Sequence, residues 1–206
     1  MRDAASRGQW TVAIGVFTPV LFVLSFLLQE LRPGFDPLSQ FVSELSIGRF
    51  GWLQMVTFFV TGAGFLAYGG LVAWRPLGSR ARPILYIVMG ISLAMSGVFT
   101  TDPSAMFDQT STPGVIHGLL GAVVFTMFPV ICFVYYRTLR TDGRRWVALL
   151  TLATGILLVV GIAALKVSEL STGPLFEVKG LIQRVILVLF MGWSAATAAI
   201  TAKKAA

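Results

Sequence analysis

Six long apolar runs divide this chain of 206 residues, and they limit its fold more than any other feature of the sequence. Each run is close to the about 20 residues that a helix needs to cross the hydrocarbon of a bilayer. The runs are continuously apolar and do not alternate, which favours helices over the strands of a membrane β-barrel. They cover residues 11–29, 52–74, 84–100, 115–136, 147–167 and 181–201.

The composition agrees with an integral membrane protein. Only 12% of the residues are charged and the mean hydropathy is +0.82, whereas about a quarter of a soluble domain is charged. The connections are too short to fold separately, so we predict one all-α domain, residues 1–206, built as a polytopic bundle of six transmembrane helices. The first run is too long for a signal-peptide core, and no small-residue cleavage site follows it, so we expect an uncleaved first helix.

The basic residues gather on one side of the predicted alternation. Eleven of the sixteen Lys and Arg residues lie near the two termini and in the second and fourth connections, while seven of the nine acidic residues lie on the other side. The positive-inside rule therefore predicts a plasma-membrane protein with both termini in the cytoplasm. We expect membrane lipids as partners of the basic loops. These short loops lack the surface that nucleic-acid binding requires, and protein partners or oligomers stay open.

The first connection contains the polar segment FDPLSQFVSELS between two apolar runs. Asp36-Pro37 is a helix-start signal, because Asp accepts backbone N–H bonds and Pro fits the first helical position. Apolar residues then recur with helical spacing at Leu38, Phe41, Val42 and Leu45. This pattern predicts a short amphipathic helix in the first extracytoplasmic loop, ended by Gly48, with its polar face toward water or a polar cavity.

The third connection repeats the helix-start signal at Asp102-Pro103 and leads into the fourth run, with His117 about one turn inside. These two loop segments resemble the domain-of-unknown-function 998 family of prokaryotic six-helix integral membrane proteins, and the likeness extends over nearly the whole chain. The resemblance implies a fold and a location, but no activity. It is most specific at Asp36-Pro37, Ser39, Ser43-Glu44, Gly51-Trp52, Asp102-Pro103, Gly114 and His117.

Arg184 is the most informative charged residue, because it lies inside the sixth run beside Gln183. A buried arginine in a membrane helix needs a partner, and Glu44, Glu169 and Glu177 are available. Our leading hypothesis is an extracytoplasmic polar pocket that binds, or binds and transports, a lipid headgroup or a small polar ligand. The candidate ligand-binding residues are Arg184, Glu44, Asp102, His117, Asp36, Ser39 and Gln183.

Two alternatives remain open at this point. One is a membrane-embedded hydrolase with His117, Asp102, Glu44 and Ser43 as candidate catalytic residues, since a histidine beside carboxylates suits acid–base chemistry. The chain is remotely similar to the membrane hydrolases that include the alkaline ceramidases, but those use three His residues and this chain has one. The sequence therefore predicts neither a metal site nor a cofactor. The other alternative is a non-catalytic accessory subunit of a membrane complex.

Overall fold

The structure is a computed structural model that describes residues 2–73, 80–104, 110–171 and 173–202. The charged residues Arg75, Asp108, Lys203 and Lys204 lie outside the described residues. The described chain is all-α, as predicted. Its helices are α1 (Arg2–Gln29), α2 (Gly51–Ala73), α3 (Ala81–Ser96), α4 (Thr112–Thr141), α5 (Arg145–Leu170), α6 (Pro174–Glu177) and α7 (Lys179–Ala202), with a 3-10 helix at Val42–Ser46.

Five helices of the described chain are long and apolar enough to cross a membrane, namely α1, α2, α4, α5 and α7. The third predicted span is shorter than the sequence suggested, because α3 ends at Ser96 and the apolar residues after it belong to a loop. Its 16 residues reach about 24 Å, less than the about 30 Å of the hydrocarbon core. The structure therefore supports a polytopic all-α membrane protein.

The six long helices form a closed ring. Each helix packs against the next in the order α1, α2, α3, α4, α5, α7, and α7 packs against α1. Small residues allow the closest approach, as expected for membrane helices that pack without a hydrophobic driving force. A Cβ atom at Gly62 of α2 would collide with Gly90 and Ala94 of α3, so these small residues let α2 and α3 pack closely.

Aromatic side chains fill the centre of the ring, from mid-height toward the end at which α1 begins and α7 ends. Phe128 of α4 stacks on Phe190 of α7, with ring centroids 4.0 Å apart. Tyr68 and Tyr86 meet edge to face at 4.8 Å in the same interior. Cys132 is fully buried and belongs to the same apolar core. This half of the bundle is a filled core.

The first connection contains a short helix, as predicted, but it is a 3-10 helix at Val42–Ser46 that follows a turn, and it does not begin at Asp36-Pro37. An α-helix would join the Val42 N–H to the Leu38 carbonyl, but residues of α7 take both groups. The Val42 N–H donates to Oε1 of Gln183 at 2.7 Å, and the Leu38 carbonyl accepts from the N–H of Leu181 at 3.0 Å. Gly48 ends the segment at a φ of +81°, as its position predicted.

Candidate functional site

Three connections meet at one end of the ring. We call this end, formed by residues 30–50, 97–104, 110–111, 171 and 173–178, the acidic end, and the other the basic end. The first connection is bonded to the connection after α3 and to α7. The N–H of Ser104 donates to Oε2 of Glu44 at 3.2 Å, and the N–H of Val42 donates to Gln183 of α7. Because all the predicted site residues lie at this end, their mutual geometry decides what the end can bind.

Arg184 lies under the first connection in a set of contacts that we call the arginine cluster. Its Nε donates to Oε1 of Glu30 at 2.7 Å, and both side chains are about nine-tenths buried. Its Nη1 donates to the carbonyl oxygens of Gln40 and Gly180, each at 2.8 Å. The ring of Phe35 lies 5.6 Å from the guanidinium carbon. The sequence named Glu44, Glu169 and Glu177 as partners, but the partner is Glu30 at the end of α1.

The arginine cluster is closed by the protein's own groups. Nε and Nη1 of Arg184 are bonded, and Nη2 is buried without a hydrogen-bond partner among the described residues. A Cβ atom at Gly180 would collide with Gln40 and with Arg184 itself, so the loop, the helix and the guanidinium are in close contact. The geometry therefore makes Arg184 a tie between α1, α7 and the first connection.

Glu44 also ties the protein together. The residue is only 4% exposed, and its Oε1 accepts from the N–H of Phe41 at 2.9 Å while Oε2 accepts from Ser104. The first contact closes the start of the 3-10 helix, and the second joins the first connection to the one after α3. Both carboxylate oxygens therefore satisfy backbone donors, as in a capping box.

Asp102 holds the start of α4. Its carboxylate accepts from the N–H of Ser111 at 2.8 Å and from the Ser111 hydroxyl at 2.7 Å, and Ser111 in turn caps α4 by accepting from the N–H of Gly114. A side chain at Gly114 would collide with the Asp102 carboxylate, so glycine is needed there. Asp102 thus acts on α4 through Ser111, which is the N-cap of that helix. A helix started by Asp102-Pro103 itself would run into residues 105–109, which lie outside the described residues.

Asp36 and Ser39 lie on the exposed side of the first connection. The Ser39 hydroxyl and the N–H of Leu38 both donate to the Asp36 carboxylate. These hydrogen bonds, chiefly the one from Ser39, lower the pKa of Asp36 below its ordinary value. The pair stabilises a turn at the surface.

His117 lies apart from these contacts, near the start of α4. Its Nδ1 is 2.7 Å from the carbonyl oxygen of Phe99. Because a carbonyl only accepts hydrogen bonds, Nδ1 carries the hydrogen, and Nε2 of the neutral ring is an acceptor. The imidazole is buried and packs near the ring of Phe58, at 5.8 Å between centroids. Its bonded partner is a backbone carbonyl, so the residue is not arranged as half of a histidine–carboxylate pair.

His117 lines a cavity of about 270 Å³ inside the acidic half of the ring, which we call the lateral cavity. Its deep part is apolar, and its upper part, toward the acidic end, carries a small set of polar groups. The deep walls include Phe22, Phe58, Leu93, Phe128, Leu187 and Met191. The upper walls include Ser43, Thr101, His117, Lys166, Glu169 and Gln183.

The lining residues of the lateral cavity that are also exposed lie on α4 and α5, namely Gly118, Ala122, Thr126 and Lys166, so we infer that the cavity opens between these two helices. Toward the basic end these helices are close, since a side chain at Gly155 of α5 would collide with Phe133 of α4. In the acidic half, α4 presents Gly118 and Gly121 to the cavity, and a Cβ atom at either would meet nothing within 4 Å. The α5 side of the opening carries the ion pair between Lys166 and Glu169, at 2.6 Å and with Lys166 largely exposed.

The structure divides the predicted polar site into two regions. Of the candidate residues, His117, Ser43 and Gln183 line the lateral cavity, whereas Arg184, Glu44, Asp102, Asp36 and Ser39 do not. The described residues contain no group of three or more His, Cys, Asp or Glu side chains placed to hold a metal ion. Sequence reasoning missed Glu30 and the glycines at the opening, because both depend on which helices are neighbours in the ring.

Comparison with known protein families identifies the family of this chain. A family model described as "Protein of unknown function (DUF998)" matches residues 16–200. Comparison with curated proteins and with solved structures found no match. The residues that carried the resemblance include Glu44, Asp102 and Gly114, which fasten the connections to one another and to α4. With a match over most of its length, the chain belongs to the DUF998 family of membrane proteins.

Proposed function

We propose that this protein binds an amphiphilic membrane lipid in the lateral cavity, with a hydrocarbon chain in the deep part and the polar end beside His117, Lys166 and Glu169. The observation that carries the proposal is the opening of an apolar cavity between α4 and α5. A lipid can reach such a cavity from the bilayer without crossing an aqueous phase. An apolar void left empty would also forfeit the contacts of its walls.

The distribution of polar groups supports an amphiphile over a wholly polar ligand. The deep wall is made of aromatic and aliphatic side chains, while Ser43, His117 and Gln183 stand near the acidic end. Small-molecule sites commonly combine apolar walls with a few polar groups that fix orientation. At about 270 Å³, the lateral cavity lies near the lower end of the about 300–1,000 Å³ typical of such sites, which suits one hydrocarbon chain.

The filled core beneath the cavity supports binding over passage through the bundle. Phe128 and Phe190 are stacked at 4.0 Å and fully buried, and the tyrosines and tryptophan below them are also buried. A ligand in the lateral cavity therefore has one route, back through the opening between α4 and α5.

The proposal includes the orientation of the protein in the membrane. We take α3 as the sixth span, with both termini in the cytoplasm of a plasma-membrane protein. The concentration of Arg and Lys at the basic end supports this orientation, because positively charged loops stay in the cytoplasm. The opening then lies in the outer leaflet, and the proposed lipid comes from that leaflet.

Photolabelling tests the proposal. The protein is reconstituted in nanodiscs with a phospholipid that carries a diazirine in one acyl chain. We expect label on Phe128 and Met191, which line the cavity but are shielded from the outer surface. A Cβ atom at Gly118 or Gly121 meets nothing within 4 Å, so leucine at both positions should extend into the opening, and the Gly118→Leu/Gly121→Leu variant should lose this internal label severalfold.

Gly192→Leu is the matched control. A Cβ atom at Gly192 also meets nothing within 4 Å, but this glycine does not line the lateral cavity. The control should keep the internal label of the wild-type protein. Internal label that persists in the double variant, or that is absent from the wild-type protein while its outer surface is labelled, would overturn the proposal.

A further inference from the structure

A second pocket, of about 270 Å³, lies on the outer side of the first connection, and we call it the arginine pocket. It is formed where the chain leaves α1 and where it returns to α2. Its lining includes Arg32, Gly34, Phe35, Gln40, Gly48 and Arg49. It shares no lining residue with the lateral cavity, so it is a separate site.

Arg32 is held in place by the backbone of the 3-10 helix. Its Nη1 donates to the carbonyl of Leu45 at 3.0 Å, and its Nη2 donates to the carbonyl of Glu44 at 3.2 Å. The guanidinium carbon also lies 5.0 Å from the centre of the Phe35 ring. Partial burial lowers the pKa of Arg32 from its ordinary value, which nevertheless leaves a guanidinium charged at neutral pH. The result is a positive group whose position is fixed before any ligand binds.

The carboxylates near the arginine pocket are engaged elsewhere. Glu30 pairs with Arg184, Asp36 accepts from Ser39, and Glu44 accepts from two backbone N–H groups. None of the three lines the pocket. In the part of the chain that the structure describes, the ion pairs are Lys166–Glu169 and Arg184–Glu30, so neither pocket arginine has a carboxylate within 4.0 Å. Two positive charges thus face one pocket without a negative partner.

The surroundings of the pocket match the level of lipid headgroups. Leu31 is 79% exposed, Phe50 is 52% exposed and Trp52 is 58% exposed. These residues flank the two arginines in the sequence, at the end of α1 and the start of α2. Exposed aromatic residues at helix ends are typical of the interface between hydrocarbon and water, where phosphate groups lie.

We propose that the arginine pocket binds a phosphate-type oxyanion between Arg32 and Arg49. Both Nη atoms of Arg32 already donate to carbonyl groups, so Arg32 contributes mainly its positive charge. The exposed planar guanidinium of Arg49 supplies the paired, charge-assisted hydrogen bonds to the phosphate oxygens. Gly34 and Gly48 leave room for the anion, since no side chain projects from either glycine, and Gln40 also lines the pocket. The same chemistry is supplied by a phospholipid headgroup or by free phosphate.

Thermal unfolding in maltoside micelles, which contain no phosphate, tests this site. One arm adds inorganic phosphate against chloride at equal ionic strength. The other adds phosphatidylglycerol against diacylglycerol, which lacks the phosphate. We expect the wild-type protein to unfold at a higher temperature in at least one phosphate arm, and Arg49→Gln to lose this increase. Stabilisation by phosphatidylglycerol alone identifies a lipid headgroup, and stabilisation by both identifies any accessible phosphate.

Two further variants separate a site from general charge. Arg49→Lys keeps the charge but lacks the planar fork, and should recover part of the increase. Arg137→Gln removes one positive charge from an exposed residue of α4 outside both the arginine pocket and the lateral cavity, and should keep the full increase. In the part of the chain that the structure describes, the Arg49 guanidinium lies 5.6 Å from the centre of the Phe50 ring and makes no ion pair, so its replacement should not unfold the protein. No increase in either arm, or the same loss in Arg137→Gln and Arg49→Gln, would overturn this proposal and leave the proposed lipid site in the lateral cavity unaffected.

Discussion

The arginine cluster and the lateral cavity lie at the same end of the bundle but are built in opposite ways. In the arginine cluster, a charged side chain is enclosed by Glu30 and by carbonyl groups of Gln40 and Gly180. The lateral cavity has apolar walls and is bordered by Gly118 and Gly121, which leave space unfilled. Arg184, the most informative charged residue of the sequence, therefore has a structural role, while the unfilled space of the lateral cavity lies beside two glycines.

Energetics explains this difference. Moving a charge out of water costs several kcal/mol, so the protein must supply partners for Arg184 whether or not a ligand is bound. Once its donors are bonded to the first connection and to α1, few remain for a ligand. An apolar cavity carries no such penalty, because lipid can occupy it. The two regions should therefore respond differently to substitution, in stability on one side and in lipid occupancy on the other.

The largest effect is expected from breaking the buried ion pair. Arg184→Leu or Glu30→Leu alone leaves a buried charge without its partner, which should lower the free energy of unfolding by about 3–5 kcal/mol. The double variant Glu30→Leu/Arg184→Leu should recover much of the loss, since two apolar side chains can replace the pair. Reversible unfolding in mixed micelles of a mild detergent and dodecyl sulfate measures both.

The comparison between the two regions fails if Arg184 behaves as a ligand-binding residue. An Arg184→Leu protein of unchanged stability that no longer acquires internal photolabel would show this. Full recovery in the double variant is not expected, because the Gln40 carbonyl also loses its donor.

Smaller effects are expected from adding one methyl group in each region, and they should have opposite signs: a loss of stability in the arginine cluster and a gain at the lateral cavity. In Gly180→Ala the new Cβ would lie 2.7 Å from the Leu38 carbonyl oxygen, so the first connection must move, at a cost of about 1–3 kcal/mol. In Gly118→Ala the Cβ enters open space, and the better helix propensity should add up to about 1 kcal/mol. The same unfolding measurement compares them, and equal losses in both variants would mean that the cavity is closed in solution.

The sequence predicted the parts of the fold that depend on local chemistry. The apolar runs located the long helices, and Asp36-Pro37 and Gly48 marked where the first connection turns and ends. The positive φ of Gly48 and the side-chain bonds of Asp36 are short-range features, so the residues alone suffice to predict them.

The remaining features depend on distant neighbours. The segment after Pro37 has helical spacing, but α7 competes for its backbone groups through Gln183 and Arg184, and the α-helix does not form. Glu30 follows α1 and meets Arg184 only because α1 and α7 are adjacent in the ring. Neither the order of the ring nor the opening between α4 and α5 is encoded in the periodicity of one segment.

The smallest effect concerns Asp36, the exposed counterpart of the buried acids in the same connection. Its pKa is lowered mainly by the Ser39 hydroxyl, so the ionised form is favoured in the folded protein. A lowered folded pKa contributes stability above the unfolded value of about 3.9, and this contribution is lost as the pH falls through the folded pKa. Ser39→Ala should therefore raise the Asp36 pKa, measured by NMR titration of labelled carboxyl carbons, and reduce stability slightly above about pH 4 but not in stronger acid.

Ser43→Ala, which faces the lateral cavity, should leave that pKa unchanged. Identical Asp36 titrations in the wild-type and Ser39→Ala proteins would contradict the turn geometry at the exposed end of this connection, without affecting the buried tie at Arg184.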